Sequence, residues 1–136
     1  DRHPGLRSQH ALLTTIPGIG ETTAAILIAE LFDKRYTNAR QAAAFAGLVP
    51  RLRESGRLRG GSRLSKVGPG RLRKALYFPA VTALRWNPTI RALRERLQAK
   101  GKQPMVIIGA AMRKLIHLAY GVLKTGRAYH PTYDHP

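Results

Sequence analysis

The stretch "PMVIIGAAMRKLIHLAYGVL" near the C-terminal end constrains this chain most. It is apolar at helical spacing, yet Arg113, Lys114 and His117 interrupt it. A membrane span would have to bury those side chains in hydrocarbon, so the stretch reads as a core helix over residues 104–123. Such a helix obliges other helices to cover it. A chain of 136 residues supplies one domain with a modest core to do so. Hydrophobic residues at 43% against charged residues at 23% describe a globular balance rather than a disordered one. No signal peptide stands out, and cysteine is absent, which removes disulfides and thiolate zinc sites and agrees with a cytoplasmic setting. The opening on Asp1 reads as a piece of a larger protein.

The remaining chain divides at proline and glycine. A short amphipathic helix is expected over residues 9–15, ending at "IPGIG". A second follows over 21–32, where Ala24, Ile28 and Leu31 recur at helical spacing and Glu21 suits the positive end of the helix. Asn38 and Gln41 have capping-box spacing for a helix ending at Ala46 and Gly47. Arg/Leu alternation from Leu48 to Gly70 reads as an irregular β-hairpin or extended loop. Helical periodicity resumes over 71–85, where Pro79 is expected to kink the helix or end it early. Asn87 as cap and Pro88 at the first position open another helix, which Gly101 closes. The class is mostly α, with one basic insert. Residues 1–126 form the domain, and 127–136 read as a loosely held tail.

Charge limits the partners. Twenty-four Lys and Arg against seven Asp and Glu give a formal net charge of +17. A polyanion is the usual reason to tolerate that self-repulsion, and nucleic acid is the commonest one. Two places suit phosphate. At residues 11–32 two helices meet through Pro-Gly-Ile-Gly, which resembles a helix-hairpin-helix, a backbone-binding motif. Gly18 and Gly20 bring backbone N–H groups close to a ligand, and Thr22 and Thr23 offer hydroxyls at a helix N-terminus. The bland alternative is a helix–helix turn with Ile16 and Ile19 in the core. The second place is "RLRESGRLRGGSRLSKVGPGRLRK", where Arg51, Arg53, Arg57, Arg59, Arg63, Lys66, Arg71, Arg73 and Lys74 accompany one acid, Glu54. Ser55 sits at the "ESG" turn. In an extended segment it shares a face with the odd-numbered arginines, which suit a phosphate transition state. A serine in a basic loop is ordinarily just solvated or bonded to its own backbone, and Ser62 and Ser65 compete with Ser55. Ser65 reads rather as a cap or phosphate contact. The carboxylates Glu21, Glu30, Asp33, Glu54 and Glu95 are scattered, and the five histidines show no ligand spacing in a helix, so no metal or cofactor is expected in this domain.

The ordered set "TIPGIGETTAAILIAEL", "ARQAAAFAGLVPR", "ESG", "SKVGPGRLRKALY", "RWNP" and "GKQPMVIIGAAMRKLIHLAYGVLKTG" resembles the C-terminal domain of the insertion-sequence one-hundred-and-ten transposases and their eleven-eleven subgroup. The resemblance runs from about Leu12 to Gly126. It implies a serine nucleophile at Ser55 that forms a phosphoserine link to DNA. It also implies an N-terminal RuvC-like domain carrying magnesium, a bridge RNA that pairs with DNA, and a homo-oligomer. The isolated domain is then expected to bind nucleic acid but to be inactive as a recombinase. Two other readings share the charge and glycine content: a noncatalytic helix-hairpin-helix DNA-binding module, and a ribosomal-type structural RNA binder.

Overall fold

The computed structural model describes residues 4–31 and 69–131. They form five helices: α1 (Pro4–Leu13), α2 (Glu21–Leu31), α3 (Pro69–Trp86), α4 (Pro88–Ala99) and α5 (Pro104–Thr125). No strand occurs among the described residues, in line with the mostly α class. The helix expected to end at Ala46 lies outside the described residues, as does the basic hairpin or loop up to residue 68.

Helix α5 is the central element. It packs against α1, α3 and α4, while α3 also contacts α2 and α4. Ala111, Leu115, Ile116, Ala119 and Val122 of α5 are buried in one cluster with Leu13, Ile16, Leu27, Leu72, Leu76 and Ile90. Each fully buried Leu or Ile contributes roughly 1.5–3 kcal/mol over leaving it exposed. Arg113 and Lys114 sit half-buried on this helix rather than in the core. By length and hydropathy α5 is the one described helix that passes as a membrane span, but more than half of that window is buried inside the protein.

Local signals set most boundaries. Asn87 caps α4: its side chain accepts hydrogen bonds from the backbone N–H groups of Thr89 and Ile90, and Pro88 takes the first helical position. The chain leaves α4 through Lys100, and Gly101 adopts φ 75°. Helix α5 ends at Gly126 with φ 70°, whose N–H donates to the carbonyl of Val122.

Three expectations need correction. Helix α1 occupies Pro4–Leu13, earlier than residues 9–15, because Pro4 suits a helix start and the two threonines end it. The Thr14 and Thr15 hydroxyls donate to the carbonyls of Ala11 and Leu12, taking over helix-end acceptors. Helix α3 begins at Pro69 and runs through Pro79 without ending. A proline removes one N–H, whereas Leu72 and Leu76 before it and Ala80 and Ala83 after it are all fully buried, so packing holds the helix on both sides. Helix α5 continues past Leu123 by two residues, to Thr125.

Candidate nucleic-acid interface

The turn between α1 and α2 is built by Pro17 and Gly18. The N–H of Ile19 donates to the carbonyl of Ile16 at 2.9 Å, with Pro17 and Gly18 at the two central positions. Gly18 has φ 108°, the left-handed value that the third residue of such a turn requires. Glycine is needed there for a second reason. A Cβ on Gly18 would lie 2.9 Å from the Pro79 carbonyl oxygen and 2.9 Å from the Ala83 Cβ. The turn is therefore pressed onto α3, and Ile16 and Ile19 are core residues. At this residue the close approach is to a helix backbone.

Gly20 differs. It is exposed, has open space where a Cβ would stand, and its carbonyl accepts from the N–H of Ala24, which makes it the last residue before α2. Glu21 and Thr22 are exposed and Thr23 is half-buried in the first turn that follows. The first N–H groups of any helix lack intrahelical acceptors, so the open part of the hairpin is Gly20 to Thr22. His10 fixes this entry: its Nε2–H donates to the Glu21 carbonyl at 3.0 Å, tying the end of α1 to the start of α2.

Asn87 locks the same turn to the rest of the protein. It is the one fully buried polar side chain among the described residues. Its Nδ2 donates to the Pro17 carbonyl at 3.1 Å, and its Oδ1 accepts from the Tyr129 hydroxyl at 3.0 Å. Because Tyr129 donates there, the 2.6 Å contact between the Tyr129 and Thr89 hydroxyls has Thr89 as donor. The Tyr129 N–H donates to the Thr15 hydroxyl at 2.9 Å. Tyr129 thus anchors residues at the start of the tail to the α1–α2 turn and to the α3–α4 corner. Asn87 in "RWNP" is accounted for by this joint.

Of the basic residues singled out in the sequence, Arg73 and Lys74 stand exposed on α3, and Arg71 belongs to the first turn of that helix. At 100° per residue, Lys74 lies about 140–180° around α3 from Pro79 and Ala83, the residues that receive the glycine turn. Arg73 lies about 80–120° away. The hairpin and Lys74 consequently occupy opposite sides of α3 and do not converge on one phosphate. Ser55, Arg51, Arg53, Arg57, Arg59, Arg63 and Lys66 lie outside the described residues, as does Ser65. Glu21, Glu30 and Glu95 are on α2 and α4, and no group of three or more His, Asp or Glu side chains converges among the described residues.

Sequence patterning assigns no role to Tyr77, Phe78 or Trp86, which are 37%, 74% and 67% exposed on α3. The signal was present. Leu72, Leu76, Ala80 and Ala83 already complete the apolar stripe of α3, so these three aromatics fall outside it.

Comparison with known proteins places this arrangement. The signature of the family described as "Transposase IS116/IS110/IS902 family" matches residues 10–95, more than half of the chain. The "Pilin gene-inverting protein" of Moraxella bovis is 36% identical over 129 residues, which is 93% of this chain and 40% of that protein. The 43.6 kDa protein of insertion element IS110 from Streptomyces coelicolor is 29% identical over 119 residues, 87% of this chain and 29% of its own length. The 42 kDa protein of insertion element IS900 from Mycobacterium paratuberculosis is 28% identical over 128 residues, covering 92% of this chain and 32% of that protein. The chain therefore spans two fifths or less of these relatives, and the matched region takes in the hairpin, the basic segment and α3. On these grounds the chain belongs to the IS116/IS110/IS902 transposase family.

Proposed function

We propose that this chain is the DNA-binding, serine-bearing part of an insertion-sequence transposase, with Ser55 as nucleophile. The observation that carries the reading is the family match over residues 10–95, which contains the "ESG" turn and its arginines. In the proposed step the Ser55 hydroxyl loses its proton and attacks a DNA phosphorus. A P–Oγ bond forms, one P–O bond of the strand breaks, and the displaced strand end leaves as an alcohol. Attack on that phosphoserine by the hydroxyl of another strand rejoins the DNA and restores the serine. Arg51, Arg53, Arg57 and Arg59 offset the charge gained by the phosphoryl group in the transition state.

The full activity requires more than this chain. The reading assigns magnesium to a RuvC-like domain outside it, with a bridge RNA to select DNA and a second protomer to complete the site. The hairpin acts as a helix-hairpin-helix through Gly20 and Thr22, gripping the backbone without regard to sequence. The name of the Moraxella protein, a gene inverter, is in keeping with recombination chemistry of this kind. Ser55→Ala in the full-length transposase tests the assignment. Strand exchange should vanish while DNA affinity stays. Unchanged exchange would leave only a noncatalytic DNA-binding module.

A further inference from the structure

Helix α3 is unusual in what it leaves outside. Its buried stripe, Leu72, Leu76, Ala80 and Ala83, ends in small residues. An arc of about 220° at 100° per residue, from Arg73 round to Trp86, carries Arg73, Lys74, Tyr77, Phe78, Arg85 and Trp86, all exposed. The helix contains no acidic residue. Arg73 with Tyr77, and Lys74 with Phe78, stand one turn apart (i, i+4), so each ring adjoins a cation on the same face. Tyr77 and Phe78 meet edge to face, with centroids 5.4 Å apart and planes at 80°. Phe78 is nonetheless 74% exposed, so most of its ring is open to solvent. Trp86 presents its indole at the far end of the helix.

An apolar patch that bound a second copy of this chain would bring Arg73, Lys74 and Arg85 against their own duplicates in a protein of formal charge +17. That juxtaposition is repulsive. Cations interleaved with open aromatic faces instead match a polyanion whose flat apolar groups are accessible. Nucleic acid has that chemistry only where it is unpaired, because a duplex hides its base faces in the stack. We infer that the outer face of α3 is a stacking platform for unpaired nucleobases of single-stranded nucleic acid, with Phe78 and Trp86 taking bases and Arg73, Lys74 and Arg85 taking phosphates. This rests on the nucleic-acid reading above but is independent of Ser55.

Trp86 is the only tryptophan in the chain, so its fluorescence reports binding at that end of α3, and the Phe78 variants separate this face from the nearby glycine turn. The 136-residue chain is titrated with oligothymidylate, with oligouridylate and with a mixed-sequence duplex of the same length. A parallel series uses end-labelled oligomers, read by anisotropy. Saturable quenching by either single strand and not by the duplex is expected, and the stronger of the two identifies DNA or RNA as the source. Phe78→Ala and Phe78→Leu should each weaken single-strand binding about five- to one-hundred-fold, as loss of one base–aromatic stack does. Phe78→Trp should restore it, and duplex affinity should not move. Phe78 is solvent-exposed, so helicity by circular dichroism should be the same in all variants. Duplex binding without single-strand quenching overturns this inference and leaves the DNA-binding reading intact. So does Phe78→Leu binding single strands as well as the parent chain. Self-association abolished by Phe78→Ala also overturns it, marking a contact between copies. Failure to bind any of the three probes removes both readings together.

Discussion

Removing the Asn87 side chain is the sharpest test of how this fold is held. Asn87→Ala deletes the cap of α4, worth about 1 kcal/mol in typical helices. It also strips the Pro17 carbonyl of its 3.1 Å donor. A buried polar group left unsatisfied costs roughly 1–3 kcal/mol. Thr89 suffers less, because its N–H also lies 3.3 Å from the Tyr129 hydroxyl, whereas the buried Ile90 N–H depends on Asn87 at 3.2 Å. Counting the cap and the Ile90 N–H as one loss, the total is about 3 kcal/mol, within a range of roughly 2–5. Against the usual ~5–15 kcal/mol of a domain, that is a large fraction. Urea unfolding followed by Trp86 fluorescence and far-ultraviolet circular dichroism measures it. Gln98→Ala, an exposed change on the same helix, serves as the control and should shift stability by under about 0.5 kcal/mol. Tyr129→Phe should be partly redundant with Asn87→Ala, since both donate into or accept through one Oδ1. A loss below about 1 kcal/mol for Asn87→Ala would refute the idea that this one amide joins the turn, the corner and the tail.

Other expectations follow from the same geometry. Gly18→Ala should cost about 2–4 kcal/mol, because it combines a positive φ with a Cβ driven onto the Pro79 carbonyl; thermal unfolding reads this. Gly20→Ala should cost no more than about 1 kcal/mol, having open space and only a cap preference to lose. Because Gly18 is a packing position, a larger residue at Gly20 alone is the clean probe of the hairpin. It should weaken DNA binding equally across sequences, and a sequence-selective loss would contradict a backbone cradle. Arg73→Ala and Lys74→Ala should each lower the dependence of log affinity on log salt by about 1, measured by binding at several salt concentrations.

Local chemistry made part of this fold legible. Asn87–Pro88 announced the start of α4, Gly101 its end, and the apolar stretch of α5 its central place, because caps and periodicity act within a few residues. The early helix end that Pro79 offered did not occur, for the same reason. The proline's local effect is to disfavour helix, but the outcome depends on Leu72, Leu76, Ala80 and Ala83 finding partners across the core. Gly18 was recognisable as a turn glycine with a special backbone angle. That its close neighbour is Pro79 could not be read, since sixty residues of chain separate them and no local pattern encodes the pairing. The Tyr129–Thr15 contact, 114 residues apart, is more distant still in sequence and equally silent. At the candidate site, Arg73 and Lys74 appeared continuous with the basic segment along the chain. Helical rotation puts Lys74 on the opposite side of α3 from the hairpin, a separation that charge counting does not see.

The central claim concerns one hydroxyl, and one measurement addresses it directly. The full-length transposase is incubated with a DNA substrate nicked so that the released strand end diffuses away and rejoining is blocked. Protease digestion and mass spectrometry then locate the nucleotide adduct. The account predicts a phosphodiester on Ser55, absent from the Ser55→Ala variant. An adduct on Ser62, Ser65 or any other side chain, or cleavage with no covalent adduct at all, would contradict it.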